Sequence, residues 1–184
     1  RRRRGRGGVG IFLDTHLALE GLGDSAAVVG AAMDAGVTRM VTMGVDAARS
    51  RTAIKLARDH QGVWAGVGHH PTEASPPDLD VLHELSHDPG VVAMGEIGLD
   101  FEEEGAPARH LQVSRLHALC ELAVGRDLPV SIHNRGAATD ILEVIDAPAG
   151  PTRVFTYLAL EWRWARPFPA PRLPLVFAGW VDGP

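Results

Sequence analysis

Val91-Val92-Ala93-Met94-Gly95-Glu96-Ile97-Gly98-Leu99-Asp100 and, further along, Leu128-Pro129-Val130-Ser131-Ile132-His133-Asn134-Arg135 are the two stretches that decide the fold. In each, a short apolar run, Val91 to Met94 or Leu128 to Ile132, gives way to a side chain of metal-binding type, Glu96 or His133. Parallel strands covered on both faces read as such runs, and α/β barrels place their chemistry at the carboxyl ends of their strands. Glu96 and His133 are therefore candidate ligands.

Outward from these two stretches the pattern alternates. Ile11 to Asp14 is a short apolar segment, followed by a helix that Asp24 or Ser25 can cap and Gly36 can stop. Met40 to Met43 reads as a second strand, Asp46 to about His60 as a helix, Val63 to Val67 as a third strand, and Asp78 to Leu85 as a helix begun by Pro76-Pro77. The longest helix carries Leu111, Leu116, Leu119, Leu122 and Ala123 on one stripe, with Gly125 near its end; Ala137 to Ile145 follows the fifth strand. Five strand-helix units without a hairpin signal predict a parallel sheet with helices outside it.

Two parallel architectures meet that description. An open dinucleotide-binding sheet requires a G-x-G-x-x-G turn after its first strand, and Asp14-Thr15-His16-Leu17 offers none. Polar side chains instead recur where the strands end: Asp14 and His16, His69 and His70, Glu96 and Asp100, His133 and Arg135. Such convergence predicts a TIM-like (β/α) barrel with its site at the mouth.

Composition sets the limits around this reading. The chain has 184 residues, 45% of them hydrophobic and 22% charged, enough for one domain with its own core. Its single cysteine, Cys120, excludes an internal disulfide and fits a reducing, cytoplasmic setting; its place in a helix makes it a packing residue. Arg1 to Arg4 and Arg6 hold five of the eighteen basic residues, so the rest is more acidic than the formal charge of −5. We read residues 1–10 as a disordered Arg/Gly-rich tail, with a phosphate-neutralising arm as the sharper alternative, and 11–184 as a single domain. No stretch approaches the roughly 20 apolar residues of a membrane span, and no secretory signal is expected.

Phe12-Leu13-Asp14-Thr15-His16, Val67-Gly68-His69-His70-Pro71, the GEIGLD segment at 95–100 and Ile132-His133-Asn134-Arg135 together resemble the TatD-type deoxyribonucleases, metal-dependent hydrolases of the amidohydrolase-like barrel superfamily. Gln112 and Val176-Phe177-Ala178-Gly179 fit the same pattern. The resemblance implies two divalent ions, Zn²⁺, Mg²⁺ or Mn²⁺, bridged by Glu96, with His16 on one and His133 on the other. Phosphodiester hydrolysis uses paired ions to deprotonate water and neutralise phosphoryl oxygens. The resemblance gives His70 and Arg135 the substrate side, facing a phosphate of DNA. His69 is expected to face solvent, and Asp100 to cap or anchor a loop rather than ligate. His60, His83, His87, His110 and His117 are expected at the surface.

The sequence also departs from that pattern. Ala18 stands where the resemblance implies a second histidine of the first strand, and Thr156 where it implies one on the sixth. Threonine replaces imidazole poorly as a ligand. A segment of four prolines, Pro167, Pro169, Pro171 and Pro174, replaces a crossover helix, with Trp162, Trp164 and Phe168 expected to pack. An eighth strand with a metal-binding aspartate is implied by the resemblance and not reached by Pro184. The expectation is an incomplete barrel with one ion or fewer, weakened or lost hydrolysis, and open edges that invite self-association. Two alternatives stand beside it: a non-catalytic remnant or binding module, and an amidohydrolase-like enzyme acting on a small-molecule ester or amide.

Overall fold

Caps and stops explain where the helices of the computed structural model begin and end. The described residues are 12–17, 24–148, 150–151, 153–158 and 176–178, with side chains described from 24 to 148 and at 150, 151, 153 and 154. Helix α1 (Ser25–Asp34) starts at Asp24, whose carboxylate accepts from the Ala26 and Ala27 N–H groups at 3.1 and 3.2 Å. Helices α2 (Ala47–Asp59) and α3 (Leu79–Leu85) begin in the same way, Asp46 accepting from Arg49 N–H at 2.7 Å and Asp78 from Val81 N–H at 3.1 Å. Each contact satisfies a donor that the helix leaves open. Helix α4 (Arg109–Gly125) is the longest, and α5 spans Ala138–Ile145. Beyond α4 the left-handed turn falls on Asp127 (φ 51°) and not on Gly125; aspartate tolerates that region.

Among the described residues there are seven strands, alternating with these helices as far as β6: β1 (Phe12–Leu17), β2 (Val37–Met43), β3 (Val63–Val67), β4 (Val91–Asp100), β5 (Val130–Arg135), β6 (Val154–Leu158) and β7 (Val176–Ala178). All neighbours pair in parallel, and spatial order follows chain order from β1 to β7. A doubly wound sheet reverses its order at a switch point, whereas a barrel adds each strand beside the last. The order therefore selects the barrel, here incomplete. Among the described residues the sheet curls so that β1 and β7 approach without pairing.

The core lies between the sheet and α2 to α5. Val67, Met94, Ile97, Leu99, Leu116, Leu119, Val130 and Ile132 form its centre, with a smaller cluster of Val29, Met40 and Val63 under α1. Leu111 departs from the expected stripe and is exposed, while Gln112 beside it is buried. Three strands run past the carboxyl ends of their apolar runs, and β2 begins three residues before its own. β1 carries His16 within it, β4 continues through the GEIGLD segment, and β5 includes His133 to Arg135.

Glycines let β4 pass its neighbours closely. A Cβ on Gly68 would lie 2.4 Å from the Gly95 carbonyl carbon, and one on Gly95 2.6 Å from Ser131 Cβ. Cys120 is buried, as a packing residue should be. No helix among the described residues is long and apolar enough to cross a membrane. The Arg/Gly-rich tail, the side chain of Thr156, Ala18 and the Trp/Pro segment lie outside the described residues.

Candidate metal centre

Two strands and the loop after a third deliver the centre. β3 ends at Val67, and the chain turns through Gly68 and His69 to His70, whose N–H donates to the Val45 carbonyl at 2.8 Å. In β4 the pairing with β5 slips between Met94 and Ile97, so Glu96 lies at an irregularity of the ladder. Its N–H donates to the Gly44 carbonyl at 3.0 Å, across from the end of β2. Such slips re-aim a side chain, and this one takes Glu96 out of simple alternation. His133 comes from β5, in register with Gly98.

These three side chains meet. One ligand atom from each of His70, Glu96 and His133 lies within 4.8 Å of the others. His133 Nδ1 is 3.1 Å from Glu96 Oε1 and 3.2 Å from His70 Nε2. Ligands about 2.0–2.2 Å from a shared tetrahedral ion are separated by about 3.3–3.6 Å, so two of these donor pairs, at 3.1 and 3.2 Å, would open by a few tenths of an ångström to hold one ion. The chemistry agrees: two imidazoles and a carboxylate suit a divalent ion, and Glu96 is 5% exposed. His70 Nδ1 lies 2.7 Å from Thr72 Oγ1, which can accept its proton and leave the Nε2 lone pair for an ion.

Behind His133 stands Asp100, only 2% exposed, with Oδ2 2.9 Å from His133 Nε2. Asp100 Oδ1 accepts from the Glu102 and Glu103 N–H groups at 3.1 and 2.9 Å, anchoring the loop after β4. Burial alone would lower the pKa of His133, but the hydrogen bond and charge of Glu96, then those of Asp100, outweigh it and raise it. Burial would raise Asp100; hydrogen bonds from His133, Glu102 and Glu103 outweigh it and lower its pKa.

The structure sorts the expected site residues. Glu96 and His133 meet, and His70 stands beside them, one ligand atom of each within 4.8 Å of the others. His16 lies on β1 and its side chain is outside the described residues. Arg135 sits at the rim with its Nη1 donating to Glu103 Oε2 at 2.7 Å, its Nε 3.5 Å from Glu102 and its Nη1 3.8 Å from Asp100. Asp100 anchors its loop as expected, but does not cap α4, whose N-cap is Ala108. His69 corrects the expectation of a solvent-facing ring: it is 5% exposed, with Nε2 3.0 Å from the Ser75 carbonyl. The loop 71–75 folds back over it. His83, His87, His110 and His117 are exposed and His60 half-buried.

Comparison with known proteins follows the same lines. The family model described as TatD related DNase matches residues 13–168. The 3'-5' ssDNA/RNA exonuclease TatD of Salmonella typhimurium is 34% identical over 122 residues, 65% of this chain and 46% of that protein. The metal-dependent hydrolase YabD of Bacillus subtilis is 32% identical over 112 residues, 59% of this chain and 44% of that one. The chain thus spans about half the length of the curated relatives it matches. Among solved structures, the TatD homologue YjjV of Escherichia coli superposes with a TM-score of 0.66 at 28% identity, over 73% of this chain and 55% of that one. A TatD family hydrolase from Entamoeba histolytica has a TM-score of 0.67 at 21% identity, over 80% and 57%, and shares the fold. Family model, relatives and geometry agree, and this chain belongs to the TatD-related DNase family.

Proposed function

We propose that this chain carries the metal-binding half of a TatD-type hydrolase site that acts on phosphodiester bonds of DNA, with His70, Glu96 and His133 holding one divalent cation. The observation that supports this most is the convergence of those three donors from the loop after β3 and from within β4 and β5. A bound cation would lower the pKa of a coordinated water and offset charge on a phosphoryl oxygen.

The protein's own groups have separate tasks in this reading. Glu96 and the two imidazoles fix the cation's position, and Asp100 and Thr72 take the outward-facing protons of the rings. Arg135, at the exposed rim, offers a planar fork to a phosphate once it leaves Glu103. The substitutions Ala18 and Thr156 support one ion where the resemblance implies two, with weakened hydrolysis as the consequence. A single-stranded substrate is favoured by what the Salmonella relative is named to cleave.

Calorimetric titration of the full chain with Zn²⁺, Mn²⁺ and Mg²⁺, alongside an assay on end-labelled single-stranded DNA, tests this. One bound ion and slow metal-stimulated shortening, both lost in Glu96→Gln, are expected. Binding without cleavage would support the non-catalytic alternative, and no uptake of any of the three ions would end the metal reading.

A further inference from the structure

Asp100 lies beyond the donor set, on the far side of the His133 ring. An imidazole has two nitrogens facing opposite ways, and only the one without a proton can bind a cation. Here Nδ1 faces Glu96 and His70, while Nε2 faces Asp100 Oδ2 at 2.9 Å. Asp100 therefore cannot join the same centre, because the ring stands between. What it can do is compete for the ring proton with Glu96, whose Oε1 lies 3.1 Å from Nδ1, through the shorter of the two contacts.

Its own orientation is fixed from two sides. Oδ1 is committed to the Glu102 and Glu103 N–H groups, which leaves Oδ2 for the ring. The Asp100 backbone is held by Gln112, 2% exposed on α4: Asp100 N–H donates to Gln112 Oε1, and Gln112 Nε2 donates to the Asp100 carbonyl, both at 2.8 Å. A second Gln112 Nε2 hydrogen bond reaches the Pro107 carbonyl at 2.8 Å and ties the same amide to the start of α4. Every atom of the Asp100 carboxylate and peptide that could swing is thus engaged.

We propose that Asp100 is a positioning residue that, held by Gln112 and the 102–103 amides, keeps the proton of His133 on Nε2 and so leaves the Nδ1 lone pair free to face the ion. This rests on the reading of His70, Glu96 and His133 as cation donors. Carboxylate-histidine-metal relays of this kind orient the ring and raise its donor strength, and disturbing them typically costs about 10–100-fold in affinity.

Asp100→Asn gives a sharp test because the amides of Glu102 and Glu103 demand an acceptor at Oδ1. The asparagine oxygen must stay there, which turns its NH₂ toward His133 Nε2. That nitrogen must then accept, and the ring proton moves to Nδ1, the side meant for the cation.

Long-range ¹H–¹⁵N correlation on the metal-free full chain, titrated until the ring is neutral and assigned by its loss in His133→Gln, reports the tautomer directly. Wild type is expected as Nε2–H and Asp100→Asn as Nδ1–H, with melting temperatures alike and Zn²⁺ affinity about 10–100-fold lower in the variant. An Nδ1–H ring in the wild type would overturn the proposal whether or not the variant folds. So would an Asp100→Asn protein that keeps Nε2–H, or that binds Zn²⁺ within twofold of wild type. Failure of the wild type to bind Zn²⁺ would instead remove the cation reading, with the tautomer pair still reporting whether Asp100 sets the ring.

Discussion

Gly98 and His133 face each other across β4 and β5 so closely that a Cβ on Gly98 would lie 2.1 Å from the His133 carbonyl oxygen. Gly98 also has φ 150°, a region other residues avoid. The backbone that carries a site histidine can sit where it does only because its partner has no side chain. Gly98→Ala should therefore combine backbone strain with overpacking and lower stability by about 2–4 kcal/mol. Urea unfolding measures this, and a loss under about 0.5 kcal/mol would show that the two strands are not so closely apposed.

His69 and His70 are neighbours with different tasks. His69 is buried against the Ser75 carbonyl, while His70 points its Nε2 toward His133. His69→Ala should cost about 1–3 kcal/mol of stability, from the lost hydrogen bond and packing, and leave Zn²⁺ affinity near wild type. His70→Ala should do the reverse, lowering Zn²⁺ affinity by at least about 100-fold, more than removal of a supporting residue costs. Paired melting curves and calorimetric titrations separate the two; equal loss of metal in both variants would contradict the assignment.

Arg135 is held at the rim by Glu103 and Glu102, so a phosphate has to compete with carboxylates for it. Glu103→Gln removes the closer competitor. Binding of single-stranded DNA to the variant should tighten by about two- to fivefold at low salt, the scale of one exposed ion pair, and the gain should vanish in an Arg135→Ala background. Fluorescence anisotropy with a labelled oligonucleotide reads both; a gain that persists without Arg135 would assign the effect to general charge.

Cys120 offers a pH-dependent signature away from the site. Burial, with a smaller contribution from the charge of Glu121, pushes its thiol up to about 12. An unfolded thiol ionises near about 8.5. Between those values the folded chain holds a proton that the unfolded chain has lost, so stability falls as pH rises, by up to about 1.4 kcal/mol per pH unit from this group. Wild type should lose urea resistance more steeply than Cys120→Ala above about pH 9. Parallel slopes for the two proteins would show that the thiol is not protonated in the fold.

Much of the architecture is legible in local sequence. Asp24, Asp46 and Asp78 announce three helices because an N-cap needs only its own neighbours. The runs Val63 to Val67 and Val91 to Met94 announce buried strands because both faces are covered. Strand ends are read less well. β4 and β5 continue past their apolar runs, since β4 and β5 pair out to Asp100 and Arg135 whatever the polarity of their side chains. Leu111 misled the helix stripe because Gln112, not leucine, faces the β4 terminus, where its amide matches a peptide.

For the site, Glu96 and His133 stand out as candidate ligands because each follows a short apolar run, whereas His70 and Arg135 are marked only by the resemblance to the TatD family. His69 gave no such signal: a histidine that covers a loop carbonyl and one that faces a cation have the same letter and the same neighbours. Asp100 is similar, because its bond to His133 spans two strands and depends on their register.

By itself, the order of residues determined the succession of strands and helices, the parallel sheet and the chemical types gathered at its ends, because capping, burial and glycine geometry act over a few neighbouring positions. Only the tertiary structure decided that His70 stands beside Glu96, that His133 turns Nδ1 inward with Nε2 held by Asp100, and that Arg135 rests on Glu103. Those contacts follow from the slip in β4 and the pairing of β4 with β5, and strand register is a property of two segments together that neither carries alone.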